Sequence, residues 1–140
     1  MKKNLMLLTG TIINFILFAG HILCLTYLNR VFEFYKIDRE MERFASIYGD
    51  SFPDIITIFI ALCFLVCAMY GLSACGYIFK LPFLKLGIFT IAAIFLLRAL
   101  WGITIMISNF TYLELSSFLV STITGLLYLF GGMKTIKKII

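Results

Sequence analysis

The stretch that decides the fold is residues 86–107, LGIFTIAAIFLLRALWGITIMI, which is almost wholly apolar and carries a single charge, Arg98. An α-helix needs about 20 such residues to cross the hydrocarbon core of a bilayer, because it rises about 1.5 Å per residue. The stretch lacks the alternation of polar and apolar residues that marks a transmembrane strand. It therefore predicts a transmembrane helix.

Three further stretches have the same character, at residues 5–28, 54–79 and 112–133. The whole chain is 62% hydrophobic and 14% charged, a balance far from that of a soluble domain. Lys2 and Lys3 resemble the start of a signal peptide, but the apolar run after them is too long and no small-residue cleavage site follows it. We expect one all-α integral membrane domain, residues 1–140, that retains its first helix.

The segment between the first two spans, residues 31–48, has a different pattern. Apolar residues recur there every three or four positions, with charged residues between them: Phe34, Ile37, Met41, Phe44 and Tyr48. This spacing predicts an amphipathic helix that lies at the membrane surface or continues the first span outward.

Lysines and arginines in short connections favour the cytoplasmic side of a membrane. With four spans, one side carries seven lysines and no acidic residue: Lys2, Lys3, Lys80, Lys85, Lys134, Lys137 and Lys138. We expect a multi-pass protein of the cell membrane with both termini in the cytoplasm and residues 31–48 outside. The last two connections are short, which predicts an antiparallel four-helix bundle with the amphipathic helix in its first outer loop. The net charge of +5 is thus a topology signal, and we expect no nucleic acid partner.

Helices in lipid approach closely at small residues, so stripes of small residues with a spacing of four indicate where helices pack. The chain has two such stripes, one in the fourth span and one in the second: Ser117, Ser121 and Gly125, and Cys67, Gly71 and Cys75. They predict packing within the bundle or, alternatively, a face between two copies of the chain.

Arg98 is the most informative residue, because an arginine inside an apolar helix is costly and needs a partner. Glu114 at the start of the fourth span is the first choice, and Asp54 at the start of the second span is the next. His21, near the outer end of the first span, completes a candidate polar cluster. One interpretation is a structural ion pair, with His21 bound to a backbone carbonyl. The other is a small outward cavity for an anionic or polar ligand, with His21 as a pH sensor.

Little else in the sequence indicates chemistry. The four cysteines contain no C-x-x-C pair, and a metal site drawn from Cys63, Cys67 and His21 lacks a fourth ligand. We expect no catalytic residue, no metal and no cofactor. The favoured function is a non-catalytic accessory, regulatory or immunity-type factor, which contacts a membrane protein or a second copy through its helices and outer loop. The alternative is a transporter or channel component.

Overall fold

The computed structural model describes residues 4–35 and 38–139, and they contain six α-helices and no strand. A single turn of 3-10 helix at Leu25–Tyr27 joins the first two helices. The helices are α1 (Leu5–Cys24), α2 (Leu28–Tyr35), α3 (Asp38–Tyr48), α4 (Phe52–Cys75), α5 (Leu84–Ser108) and α6 (Tyr112–Ile139).

Among the described residues, four helical stretches are long and apolar enough to cross a membrane. They are Leu5–Phe34, Phe52–Cys75, Leu84–Ser108 and Tyr112–Thr135. The predicted all-helical class is confirmed for the described residues. The first stretch is longer than the sequence indicated, because the chain stays helical through the 3-10 turn and into α2.

Two glycines with left-handed backbone conformation end α3 and α4. Gly49 has φ of 106° and Gly76 has φ of 79°, a region that residues with a Cβ rarely adopt. Residues 76–79, which the sequence placed in the second span, therefore lie in a turn. Ser73 holds this turn, since its hydroxyl donates to the Phe79 carbonyl at 2.9 Å and accepts from the Leu81 amide at 2.9 Å.

The segment predicted as one amphipathic helix contains α2 and α3. Residues 36 and 37 lie outside the described residues, and Ile37 of the apolar stripe is therefore not placed. Phe34 and Tyr48 of the stripe have 70% and 67% of their surfaces exposed. The rings of Phe44 and Tyr48 lie 6.4 Å apart, centroid to centroid.

The chain divides into two compact units, with boundaries inside α1 and α4. The first unit contains Met1–Ile13 and Cys67–Ile140, and the second contains Asn14–Val66. The core of the first unit includes the fully buried side chains of Leu7, Thr124 and Tyr128.

The helices α5 and α6 pack along their lengths at glycines. A Cβ at Gly102 would lie 3.6 Å from Phe118, one at Gly125 would lie 2.9 Å from Leu96, and one at Gly132 would lie 2.8 Å from Ile88. These contacts occur in opposite order along the two helices, so α5 and α6 run in opposite directions.

Candidate functional site

Arg98 on α5 reaches across to α6 and forms an ion pair with Glu114. Its Nη2 atom donates to Glu114 Oε1 at 2.8 Å and to Ser117 Oγ at 3.1 Å. The exposed fractions of the two charged side chains are 38% for Arg98 and 18% for Glu114. A guanidinium in an apolar helix is thus compensated by a carboxylate and a hydroxyl, both supplied by the neighbouring helix.

The start of α6 is built to hold Glu114 in place. Thr111 precedes the helix, and its Oγ1 accepts a hydrogen bond from the Glu114 amide at 3.1 Å. This is the arrangement of a helix N-cap, and Thr111 and Glu114 have the spacing of a capping box. Glu114 also lies in the first turn of α6, where acidic residues are common because the helix dipole is positive there. Sequence reasoning missed this cap, although the T-x-x-E spacing could have indicated it.

Gly102 makes room for the guanidinium. A Cβ at this position would lie 3.2 Å from Arg98 Nη1 and 3.4 Å from Glu114 Oε1. The arginine side chain therefore runs along α5 over Gly102, one turn closer to the end of the helix where α6 begins. Gly102 was not among the residues predicted to belong to the site. The spacing of four between Arg98 and Gly102, which puts both on one helix face, could have indicated that they lie close together.

The other terminal nitrogen of Arg98 has a different environment. Nη1 is buried and has no hydrogen-bond acceptor among the residues that the structure describes. A guanidinium has five N–H donors, and Glu114 and Ser117 engage only Nη2. The ion pair thus leaves N–H donors of the arginine without an acceptor in the described part of the chain. A small anion or a water molecule is suited to accept hydrogen bonds from them.

His21 and Asp54 belong to the second unit. His21 Nδ1 lies 2.8 Å from the Leu17 carbonyl oxygen, and because a carbonyl only accepts, Nδ1 carries the proton in this contact. The His21 ring lies 5.0 Å from the ring of Phe64. Asp54 is exposed in the first turn of α4, where the helix dipole favours a carboxylate. Of the four residues in the predicted cluster, the structure joins Arg98 to Glu114.

The small-residue stripe on α6 lies against neighbouring side chains. Ser117 accepts the hydrogen bond from Arg98, Ser121 is buried, and Gly125 contacts Leu96.

The stripe on α4 also has close neighbours in the first unit. The Tyr128 hydroxyl donates to the Cys67 carbonyl at 2.8 Å, and a Cβ at Gly71 would collide with Thr11 Oγ1. Cys75 Sγ lies 3.8 Å from the Asn4 carbonyl oxygen. Small residues at these positions let the helices approach.

Within the described part of the chain, no group of three or more His, Cys, Asp or Glu side chains is arranged to hold a metal ion. No family model, curated protein or solved structure matches this chain. The assignment of a function therefore depends on the chemistry of its own residues.

Proposed function

We propose that this chain is a small multi-pass membrane protein that works without catalysis, as an accessory, regulatory or immunity-type factor that binds another membrane protein. One observation carries the proposal: the second unit has an acidic groove, and exposed aromatic residues lie on α3, one of the helices that form it. The polar residues of the candidate spans also support a role without catalysis. Arg98 and Glu114 bind each other, and His21 binds a backbone carbonyl, so these groups are engaged in contacts that fix helices.

The acidic groove lies between α2, α3 and the start of α4 and has a volume of about 360 Å³. Four carboxylates line it: Glu33, Asp38, Glu42 and Asp50. In the described part of the chain, no basic side chain lines it. Like charges held this close repel one another, so a lysine or arginine of a partner would gain by entering the groove.

Exposed aromatic side chains are a second feature of this unit. The ring of Tyr48 lies 6.4 Å from that of Phe44 and 5.1 Å from that of Phe52, and Tyr48 is 67% exposed. Ile47 next to it is 63% exposed. Exposed aromatic residues are enriched at the centres of protein interfaces, because they bury a large apolar area at low entropic cost. The favoured partner is therefore a membrane protein segment that carries basic and apolar side chains.

The proposed topology puts this surface outside the cell. The four spans cross the bilayer alternately, as an antiparallel bundle with both termini in the cytoplasm and with α2 and α3 on the outer side. The lysine-rich connections support this orientation, since all seven lysines predicted on the inner side lie on segments without acidic residues. In cells, a cysteine in place of Glu40 should react with a membrane-impermeant thiol reagent, and one in place of Lys137 should not, in a background without native cysteines. Labelling at Lys137 would reverse the orientation.

The partner contact is testable by photo-crosslinking in cells. A photoreactive amino acid in place of Ile47 or Tyr48 should give one discrete adduct, heavier than the 16.0 kDa chain. Tyr112, which is 83% exposed but belongs to the first unit, is the matched control position and should give much less. A second copy as the partner would give an adduct of twice the mass of the chain.

Variants that remove charge from the groove test whether the adduct reports this contact. Replacing Glu33 and Glu42 together with glutamine should remove most of the adduct, whereas Glu40→Gln, outside the groove lining, should leave it. The proposal would be contradicted if the adduct yield stayed the same without the Glu33 and Glu42 charges. It would also be contradicted if the yield from Tyr112 were as high as that from Ile47 or Tyr48.

A second candidate function is a transporter or channel component whose polar site includes Arg98 and Glu114. The buried Arg98 Nη1 favours it, because this atom has no acceptor among the described residues and could bind a small anion. Chloride, acetate or sulfate should then raise the thermal stability of the purified protein. The rise should disappear when Arg98 and Glu114 are both replaced by leucine, a change that leaves neither charge unpaired. No anion effect in the wild-type protein would rule out this candidate.

A further inference from the structure

The first unit contains an apolar cavity whose rim carries two lysines. Its volume is about 220 Å³, and its wall includes Leu7 of α1, Ala74 of α4, and Leu84 and Ile88 of α5. Lys80 and Lys85 contribute the charged side. An apolar cavity of about 150 Å³ is known to stay free of water and to accept a benzene-sized group, so this one has room for part of a hydrocarbon chain.

Specific contacts hold the α1 and α6 walls of the cavity together. The Asn4 side-chain amide donates to the Gly131 carbonyl at 2.6 Å and to Thr135 Oγ1 at 2.9 Å. A Cβ at Gly131 would lie 2.7 Å from Leu7 Cγ, so α1 and α6 are as close as glycine allows. The α1 and α6 walls of the cavity are therefore in direct contact with each other.

The lysine side of the cavity is also fixed. Ser73 holds the turn that carries Lys80 through hydrogen bonds with Phe79 and Leu81, and the Tyr70 hydroxyl donates to the Pro82 carbonyl at 3.3 Å. Lys80 and Lys85 thus project from a turn and a helix start that are tied to α4.

Among the residues that the structure describes, the two ammonium groups have no counter-ion. Glu114 is the one acidic residue in the sequence of the first unit, and it is paired with Arg98. Among the described residues, no carboxylate lies within 4.0 Å of Lys80 or Lys85. Two unpaired cations beside an apolar cavity complement a molecule that joins an anion to a hydrocarbon chain.

We infer that this cavity is a binding site for an anionic phospholipid. The lipid phosphate lies between Lys80 and Lys85, and part of one acyl chain occupies the cavity next to Leu7, Ala74 and Ile88. The lysines attract the headgroup and the cavity wall gives the chain a place that the surrounding bilayer does not. This inference goes beyond the proposed partner contact, because it concerns the other unit and a different ligand.

The test is native mass spectrometry of the protein titrated with phosphatidylglycerol or phosphatidylcholine in detergent. Phosphatidylglycerol should bind as one tightly held molecule. Replacing Lys80 and Lys85 with glutamine should weaken its binding by roughly 10- to 30-fold, from about 1 kcal/mol for each lysine. The matched control replaces Lys134 and Lys137, which are exposed on α6 and lie outside the cavity lining, and should change affinity by less than about threefold.

A second variant tests the cavity without touching the charges. Ala74→Leu fills it and should weaken phosphatidylglycerol binding while the lysines remain, with circular dichroism to confirm that the helices persist. Equal losses from both lysine pairs would mean diffuse attraction and would overturn the site. So would an unchanged affinity in Ala74→Leu, a lack of preference over phosphatidylcholine, or full competition by inorganic phosphate, which would mean that no chain is bound.

Discussion

The two units of the chain differ in charge and in how their glycines are used. The sequence of the first unit contains eight basic residues and one acidic residue, whereas that of the second contains four basic and six acidic residues. Every helical glycine of the first unit has a side chain within 4 Å of where its Cβ would lie. In the second unit, Gly20 and Gly49 have no such neighbour among the described residues.

Under the proposed function, this difference gives the two units separate tasks. Close approach at glycines maximises dispersion contacts, which are a main source of helix association where no hydrophobic effect operates. Glycines therefore contribute close packing in the first unit and not in the second. The second unit, with its exposed aromatic and acidic side chains, is the one that we propose to contact the partner. Substitutions should therefore change stability more in the first unit than in the second.

The largest difference is expected between Gly71→Ala and Gly20→Ala. A Cβ at Gly71 would collide with the buried Thr11 hydroxyl and would lie 2.8 Å from the Tyr128 hydroxyl oxygen. Overpacking of this kind costs about 3 kcal/mol of the free energy of unfolding. Gly20→Ala meets nothing within 4 Å and should be neutral or stabilising by up to about 1 kcal/mol, because alanine favours a helix. Reversible unfolding in detergent measures both, and equal costs would remove the contrast between the units.

An intermediate effect is expected at the ion pair. Glu114→Leu leaves the Arg98 cation in an apolar helix without its carboxylate and should lower the free energy of unfolding by about 2 kcal/mol. Arg98→Leu should lower it less, because the remaining carboxylate lies in the first turn of α6. The double variant should recover much of the loss. A double-mutant cycle with the same unfolding assay measures the coupling directly. Additive costs would mean that the contact between Arg98 and Glu114 contributes no coupling free energy.

The smallest effect is expected in α3. Phe44→Ser removes ring contacts with Tyr48 and Phe52, whose centroids lie 6.4 Å and 5.7 Å away. Aromatic contacts of this kind contribute about 1 kcal/mol, so amide exchange in α3 should become roughly fivefold faster. Ile47→Ser, at an exposed position on the same helix, is the control and should change exchange less. Equal rates in the two variants would mean that the ring contacts do not hold α3.

The sequence predicted the helices well because the apolar runs are long and uninterrupted, and length alone decides whether a run can span. It also favoured Glu114 as the partner of Arg98, since a connection of three residues holds α5 and α6 side by side. The end of the second span was less accurate. The run remains apolar through Phe79, and hydropathy does not reveal that Gly76 adopts a left-handed conformation and ends the helix.

The cavity beside Lys80 and Lys85 could not be predicted from the sequence. Its wall combines residues from α1, α4, α5 and α6, and an empty space depends on the relative positions of helices rather than on any residue pattern. The role of Gly102 is a similar case. The spacing of four puts Gly102 on the same helix face as Arg98, but its importance comes from where the guanidinium lies, and a spacing does not determine the rotamer of an arginine.

The contacts of Asn4 have a consequence for synthesis of the protein. This side chain binds Gly131 and Thr135, which follow it by 127 and 131 residues, and so the residue that precedes α1 meets these partners only after residues 131–135 have been synthesised. Contacts at such sequence separation form late, after local pairs such as α5 with α6. A nascent chain that stops before Gly131 leaves the Asn4 amide and the Leu7 side chain without these neighbours. The N-terminal end of α1 therefore reaches its final packing only in a chain that already includes residues 131–135.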